Sequence, residues 1–126
     1  MSVRSERGKA GEEHVCRYLE KRGWRIAARN YRIKGGEIDI VAEKDGIIAF
    51  VEVKTRKFGS LSDGIDAVDA KKRKCVIRAA DRYLEEFSDM AHEVRFDAAV
   101  VTITTEEAPR VLEMQYYENA FDAFSL

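Results

Sequence analysis

The sequence contains few of the residues that mark fibrous, disulfide-built or membrane-spanning proteins. One proline, eight glycines and two cysteines among 126 residues argue against collagen-like and proline-rich chains. Cys16 and Cys75 form no CxxC pair, so neither a disulfide scaffold nor a cysteine-based zinc site is expected. The longest apolar run, Ile47–Val51, is far shorter than the roughly 18 residues of a membrane span, and the N-terminus is polar where a signal peptide is apolar. We therefore expect a cytoplasmic protein with reduced cysteines and no membrane partner.

The composition is that of one folded domain. Apolar residues make up 45% and charged residues 36% of the chain, a balance that supplies both a buried core and a solvated surface. A length of 126 residues leaves room for one domain of the usual size, roughly 100–200 residues. Residues 1–126 are expected to form that single domain.

Positive and negative charges are distributed unevenly along the chain. Residues 1–82 carry 20 Lys and Arg against 13 Asp and Glu, whereas residues 83–126 carry 2 against 10. The basic clusters fit either a solvated surface or the footprint of a polyanion such as nucleic acid. If they bind nucleic acid, the residues expected to contact it are Arg29, Arg32, Lys34, Arg56, Lys57, Lys71, Lys72 and Arg73.

A first helix is predicted from about Arg7 to Arg22, followed by Gly23 where a helix end is expected. Apolar residues recur there at helical spacing, namely Val15, Cys16 and Leu19. Glu12 falls on the same inward stripe. Its carboxylate either interacts with the positive end of the helix dipole or belongs to a site beneath the helix.

A β-hairpin is predicted where Asp45-Gly46 separates the strands Glu37–Ala42 and Ile47–Thr55. Asp-Gly between two β-prone runs indicates a two-residue type I′ turn, which fixes the register of the strands. On one sheet face this register places Asp39 opposite Glu52 and Glu37 opposite Lys54. The other face is expected to carry the apolar residues Ile38, Ile40, Val51 and Val53.

The charged face of this hairpin is the main functional signal in the sequence. Like charges in direct opposition destabilise a sheet, so a cation is expected between Asp39 and Glu52. Two neighbouring carboxylates form a hard-oxygen site suited to Mg²⁺ or Mn²⁺. Lys54 would orient a water and offset the charge on a phosphate, which is the chemistry of phosphodiester hydrolysis. The alternative is a cross-strand charge ladder on a solvated sheet face.

The rest of the chain predicts a second helix and two further strands. The helix runs from about Asp66 to Phe87, with Lys72 on its apolar side, where the ammonium reaches either the sheet or solvent. The strands are Val94–Thr104 and Val111–Tyr117. With Trp24 to Tyr31 taken as a connection, the order is αββαββ, an α/β fold with a mixed sheet flanked by helices. The apolar stripe of the second helix is Val68, Val76, Ala79, Ala80, Tyr83, Leu84 and Phe87.

Several stretches resemble the bacterial YraN-like family over nearly the whole chain. They are residues 8–12, 29–32, 36–41, 50–56, 68–72 and 95–97. That family is similar to archaeal Holliday junction resolvases and to the wider PD-(D/E)xK nucleases, which implies a restriction-endonuclease-like core. By position, Asp39 and Glu52 match the acidic ligands, Lys54 the catalytic lysine, and Glu12 a glutamate of the first helix. Ile38 stands where the wider motif has proline, which lowers the specificity of the match.

The sequence therefore predicts a nucleic-acid-binding protein, DNA more than RNA, with Mg²⁺ or Mn²⁺ held by Glu12, Asp39 and Glu52. The resemblance implies an endonuclease acting on branched DNA. The alternative is a non-catalytic binding or assembly module with the same fold. By analogy with resolvases, a homodimer is one expectation, and the acidic C-terminal segment up to Phe124 is either an interface or a last strand with a tail. Trp24, Tyr31 and Phe58 either stack on unpaired bases or belong to the core.

Overall fold

The computed structural model describes residues 6–60, 70–87 and 93–121. Within these ranges the order is α1 (Glu6–Lys21), β1 (Arg25–Ile33), β2 (Gly36–Lys44), β3 (Ile47–Lys57), α2 (Ala70–Phe87), β4 (Glu93–Ile103) and β5 (Val111–Phe121). The strands form one sheet in the order β1-β2-β3-β4-β5, with β3 and β4 parallel and the other neighbours antiparallel. The predicted α/β class with a mixed sheet is confirmed. Asp66, Val68 and Phe124, on which parts of the prediction rest, lie outside the described residues.

The predicted order αββαββ lacks one strand. Arg25–Ile33, which we expected to be a connection, forms the edge strand β1, and none of its residues is fully buried. Its pairing with β2 shifts between Ile26 and Ala28. An edge strand with this irregularity gives no two-residue hydrophobic alternation in the sequence, and such alternation is the main signal for a strand. The observed order is αβββαββ.

The hairpin between β2 and β3 has the predicted turn and, near the turn, the predicted register. Asp45 and Gly46 have φ angles of 49° and 78°, as a type I′ turn requires. Paired residues run from Lys44–Ile47 to Ile40–Val51. The predicted pairs Asp39–Glu52 and Glu37–Lys54 lie beyond the end of that ladder, so direct opposition of these residues is wrong.

The ladder ends where the regular alternation of side chains along β2 is broken, at Asp39. Ile38 packs on one face of the sheet and Ile40 on the other, so the prediction that they share a face is also wrong. In β1, Asn30 lies between the residues paired with Ile40 and Ile38 and has a φ of 53°. A left-handed residue interrupts the regular alternation of side chains along its own strand, and no local sequence pattern predicts one at position 30.

The two helices cover opposite faces of the sheet. The α1 face is filled by Val15, Cys16, Leu19, Ile40, Ala42, Ala49, Val51, Ala99, Val101 and Ile103. The α2 face is filled by Ile38, Val41, Ile48, Phe50, Val76, Ala79, Ala80, Tyr83, Phe96, Ala98 and Phe121. Phe87, predicted to belong to the apolar stripe, is 61% exposed because α2 ends there. In the described part of the chain, neither helix combines the length and apolar character needed to cross a lipid bilayer.

Helix α2 lies directly on β2 at Gly36. A Cβ atom at this position would stand 2.6 Å from the carbonyl oxygen of Cys75 and 3.1 Å from the Cβ of Ala79. Real Cβ atoms do not approach backbone oxygens this closely, so the contact requires glycine. The N-terminal half of α2, which carries Lys72, is thereby held close to the sheet.

Candidate functional site

Two buried carboxylates lie where β2 and β3 separate. Asp39 accepts a hydrogen bond at 2.8 Å from the backbone N–H of Val53, so a side-chain oxygen serves as the acceptor for that amide. Glu52, the residue before Val53 on β3, is only 3% exposed. Both carboxylates are taken largely out of water, and burial of a charge is costly unless partners compensate it.

Lys72 of α2 is the partner that reaches Glu52. Its Nζ lies 3.3 Å from Oε2 of Glu52, while the lysine side chain remains 42% exposed. The lysine therefore points toward the sheet, which confirms the first of the two predicted alternatives. Within the described residues, no hydrogen-bond donor reaches the buried Oε1 of Glu52. The glutamate is thus only half satisfied.

The electrostatics of this group follow from its burial. Burial, followed by the nearby charge of Asp39, raises the pKa of Glu52 to about 8, although Lys72 acts in the opposite direction. Burial lowers the pKa of Lys72, but the charges of Glu52 and Asp39 more than offset this, so the net pKa of Lys72 is raised. Lys72 therefore stays charged at neutral pH, whereas Glu52 titrates close to it.

The arrangement of Asp39 and Glu52 fits a divalent cation. Mg²⁺ prefers oxygen ligands and is commonly held by one or two carboxylates, with waters and substrate phosphates completing its coordination. The Oε1 of Glu52 is a buried oxygen that no donor among the described residues reaches, and a cation would satisfy it while relieving the repulsion from Asp39. The two residues therefore match the chemistry of the predicted metal.

Glu12 lies on the other helix from Lys72. It is buried, as its helical position predicts, but it lies on α1, which packs against the opposite face of the sheet from α2. Among the described residues, no group of three or more His, Cys, Asp or Glu side chains is placed to hold a metal. The structure brings Asp39 and Glu52 together, and the role of Glu12 as a third ligand stays a prediction.

Lys54 is exposed and lies two residues after Glu52 on β3. Alternation along a strand places these two side chains on the same face of the sheet. The position of Lys54 is thus compatible with its predicted role beside the carboxylates. It also borders a groove at the end of β3.

The basic residues predicted to contact nucleic acid divide into two groups. Some make contacts within the protein: Arg29 with Glu13 at 3.1 Å, Arg32 with Glu37 at 3.2 Å, Arg56 with the hydroxyl of Thr102 at 3.2 Å, Lys72 with Glu52, and Arg73 with the ring of Phe121 at 5.8 Å. Others project into solvent, namely Lys34, Lys57 and Lys71. Exposed ion pairs are weak, so arginines in the first group could exchange their carboxylate for a phosphate.

Two polar residues with buried side-chain oxygens were missed by the sequence reasoning. The buried Oδ1 of Asn30 has no hydrogen-bond partner within the described residues, and Asn30 lies in β1 next to the irregular part of β2. Asp97 of β4 is completely buried. The signals for Asp97 were its spacing from Arg95, because residues two apart on a strand share a face, and its place in the stretch 95–97 that resembles the YraN-like family.

Asp97 is satisfied from several directions. Arg95 donates to both carboxylate oxygens at 2.9 Å, the hydroxyl of Tyr116 donates at 2.6 Å, and the backbone N–H of Asn119 donates at 3.0 Å. A buried carboxylate with this many donors is a stabilising element of the core.

Known protein sequences match this chain over most of its length. The model of the uncharacterised protein family UPF0102 matches residues 11–101. The chain belongs to this family. The matched span of this UPF0102 protein contains Glu12, Asp39, Glu52, Lys54 and Lys72, and it ends before β5. The resemblance to the YraN-like family is therefore confirmed.

Individual UPF0102 proteins from distant bacteria are similar over nearly their whole length. The relative from Alkaliphilus metalliredigens is 42% identical over 114 residues, covering 90% of this chain and 96% of its own. The relative from Myxococcus xanthus is 38% identical over 120 residues, covering 95% and 92%. Each match thus covers at least 90% of this chain and of the relative.

Proposed function

We propose that this protein is a divalent-cation-dependent endonuclease that hydrolyses phosphodiester bonds of nucleic acid, with a restriction-endonuclease-like core. One observation carries the proposal: Asp39 and Glu52 are buried next to one another, and an oxygen of Glu52 has no donor within the described residues. A fold gains no stability from such an arrangement. A bound cation that also contacts a phosphodiester substrate would account for the two carboxylates being buried side by side.

Asp39 and Glu52 would hold Mg²⁺ or Mn²⁺, and Glu12 stays a candidate for a further ligand. When bound, the ion would lower the pKa of a water and polarise a phosphoryl oxygen. The N–H of Val53 fixes the orientation of Asp39. Lys72 holds one oxygen of Glu52, which leaves the other to face a ligand. Lys54 would position the attacking water and offset charge on the scissile phosphate.

The substrate class follows from the charges around the site and from the resemblance. Exposed Lys57 and Lys71, together with Lys54, would contact phosphates, and binding should weaken steeply as salt is added. The resemblance to resolvases favours DNA over RNA and branched DNA over plain duplex. It also favours a homodimer, because paired nicks in a symmetric junction need two active sites.

A non-catalytic nucleic-acid-binding or assembly module is the second candidate. It is favoured by the ion pair between Lys72 and Glu52, which already compensates part of the buried charge without any metal. In that case Lys72 would be a permanent structural partner of Glu52. The same fold and the same basic residues would bind nucleic acid without cleaving it.

Cleavage and metal binding can be tested in parallel. Labelled single-stranded, duplex, flap and four-way-junction DNA would be incubated with Mg²⁺, Mn²⁺ or EDTA and the unaltered protein, Glu52→Gln, Lys54→Ala or the charge-matched control Lys21→Ala. We expect cleavage that requires metal, falls on the order of 10²–10³-fold in Glu52→Gln and Lys54→Ala, and persists in Lys21→Ala. Thermal unfolding with the same metals should show stabilisation that Asp39→Asn loses.

The outcomes separate the two candidates. Metal-dependent cleavage that disappears in both site variants supports the endonuclease. Binding without cleavage on every substrate, together with no stabilisation by metal, contradicts the endonuclease and supports the module. Absence of both binding and cleavage contradicts the endonuclease and a nucleic-acid-binding module, and supports an assembly module with a protein partner.

A further inference from the structure

The three aromatic residues that accompany basic residues in the sequence have different environments. Trp24 packs against the core on the α1 face, with the guanidinium of Arg95 5.0 Å from its ring. Tyr31 packs edge-to-face on Tyr83 at 5.3 Å. Phe58, by contrast, is 70% exposed. The structure thus assigns the first two rings to packing and leaves the third in solvent.

The exposed ring belongs to an ordered turn. The N–H of Phe58 donates to the carbonyl of Ile103 at 2.8 Å, and the N–H of Ser60 donates to the carbonyl of Lys57 at 3.0 Å. Gly59 supplies the positive φ of 85° that the turn needs. Two backbone hydrogen bonds therefore fix the point from which an apolar ring projects into water, where it gains nothing from burial.

Grooves lie on both sides of this ring. One has a volume of about 410 Å³ and extends over the sheet to Thr102, Leu112 and Glu113. The other has a volume of about 430 Å³ and is lined by the cationic residues Lys54, Arg56 and Lys57 together with Thr105. Phe58 lines both grooves. Each groove is large enough for a planar ring to lie against the phenyl group.

Positive charge connects the grooves to the carboxylate site. Glu52, Lys54 and Arg56 occupy alternate positions on β3, so their side chains follow one another on one face of the sheet at intervals of roughly 7 Å. The guanidinium of Arg56 is held at the sheet surface by the hydroxyl of Thr102, at 3.2 Å. Phe58 stands at the end of this row, roughly 20 Å along the chain from Glu52.

We propose that Phe58 stacks on an unpaired nucleobase, while Lys54 and Lys57 contact the phosphates of the same strand. An aromatic ring beside a cationic track is how proteins hold single-stranded nucleic acid without reading its sequence. This inference rests on the proposed function, and it narrows the substrate to nucleic acid with unpaired bases within about 20 Å of the carboxylate pair. A base-paired duplex offers no free base face to the ring.

Binding can be measured without any cleavage. Fluorescence anisotropy in EDTA would give the affinity of the full chain for a labelled mixed-sequence 15-nucleotide single strand and for the matching duplex. The variants are Phe58→Ala, Phe58→Leu and Phe58→Trp. Phe87→Ala is the matched control, because Phe87 is also largely exposed but follows Glu85 and Glu86 at the end of α2.

We expect Phe58→Ala to weaken single-strand binding by roughly 5- to 100-fold and duplex binding less than about twofold. Phe58→Leu should match Phe58→Ala, because it keeps an apolar side chain but no ring face. Phe58→Trp should bind at least as tightly as the unaltered chain, and the fluorescence of the introduced indole should be quenched by the single strand. Phe87→Ala should leave both affinities unchanged.

Several results would overturn the inference. Unchanged single-strand affinity in Phe58→Ala, or full affinity in Phe58→Leu, removes the stacking contact but leaves the proposed endonuclease intact. A Phe58→Ala variant that instead changes the sedimentation coefficient assigns the ring to contact between copies of this chain. If the unaltered chain binds none of the DNA probes, this inference and the proposed function both fail.

Discussion

Two buried carboxylates on adjacent strands illustrate opposite uses of the same chemical group. Glu52 on β3 and Asp97 on β4 lie one step apart in the sheet, since Val51 pairs with Asp97 and Glu52 pairs with Ala98. Asp97 receives donors from Arg95, Tyr116 and Asn119. Glu52 has Lys72 on one oxygen, and its other oxygen has no donor within the described residues.

The donors around Asp97 and the carboxylate of Glu52 also differ in their response to pH. Burial and the neighbouring Asp97 raise the pKa of Tyr116 far above its usual value. Burial lowers the pKa of Arg95, but its hydrogen bonds to Asp97 more than offset this, so the net pKa is raised. The donors around Asp97 therefore keep their protons at every ordinary pH. For Glu52, in contrast, burial and the charge of Asp39 raise the pKa to about 8, so the comparison teaches that two buried carboxylates differ in the donors that reach them.

Removing Asp97 is expected to have the largest effect on stability. Asp97→Ala leaves the buried guanidinium of Arg95 and the hydroxyl of Tyr116 without their acceptor, and breaking a buried ion pair costs about 3–5 kcal/mol of unfolding free energy. Urea unfolding measures the loss directly. Glu106→Ala is the control, because Glu106 pairs with Arg110 at 3.1 Å on the surface, where such pairs contribute about 0–1 kcal/mol. Equal stability of the two variants would show that the Asp97 network does not hold the fold.

Neutralising Glu52 is expected to change stability with pH rather than uniformly. The folded-state pKa of about 8 lies above the unfolded value of roughly 4.3, so the protonated glutamate is favoured by folding. This contribution is fully present below pH 4 and is lost as pH rises through the window up to about 8. Glu52→Gln should therefore gain stability relative to the unaltered chain, on the order of 3 kcal/mol by pH 9 in EDTA.

Unfolding curves at pH 5, 7 and 9 measure this difference, with Glu113→Gln on the exposed part of β5 as the control. A Glu52→Gln advantage that is the same at all three pH values would contradict the raised pKa. Addition of Mg²⁺ at pH 8 should stabilise the unaltered chain and narrow the gap, because the cation favours the ionised carboxylate.

Removing one hydroxyl from the Asp97 network is expected to have the smallest effect. Tyr116→Phe keeps the ring that stacks on Tyr18 at 5.2 Å but loses one hydrogen bond to a charged acceptor, which is worth roughly 1.5–3 kcal/mol. Thermal and urea unfolding should show this loss equally at pH 5 and pH 9. Tyr117→Phe, whose hydroxyl contacts Gln115 at the surface at 3.0 Å, should change stability by less than about 0.5 kcal/mol. A loss in Tyr116→Phe no greater than in Tyr117→Phe would assign the stability to the other donors.

The sequence was informative where local rules act. Helical spacing placed Glu12 beneath α1 and Lys72 on the inner side of α2, and the Asp-Gly turn set the hairpin register as far as Ile40. Each of these depends on residues a few positions apart in the chain. The placement of Asp39 and Glu52 near each other followed from the same register, although the strands separate before the two residues become a direct pair.

The remaining features depend on contacts that no local pattern reports. β1 is an edge strand without regular alternation, and Asn30 within it has a left-handed conformation. Asp97 is satisfied by residues 19 and 22 positions away in the chain. Such networks become visible only when β4 and β5 are placed side by side. The bound metal, the nucleic acid and the catalytic roles stay predictions, because a sequence pattern specifies residue types and not the ligands that those residues bind.

The close approach of α2 to β2 at Gly36 has a consequence for the charge balance of the site. Cys75, whose carbonyl faces Gly36, is nearly one helical turn after Lys72, so a displacement of α2 moves both residues together. Any side chain at position 36 would push α2 away from the sheet. The distance between the ammonium of Lys72 and the carboxylate of Glu52 would then increase. The missing side chain at Gly36 on β2 therefore determines how closely the ammonium of Lys72 approaches Glu52 on β3.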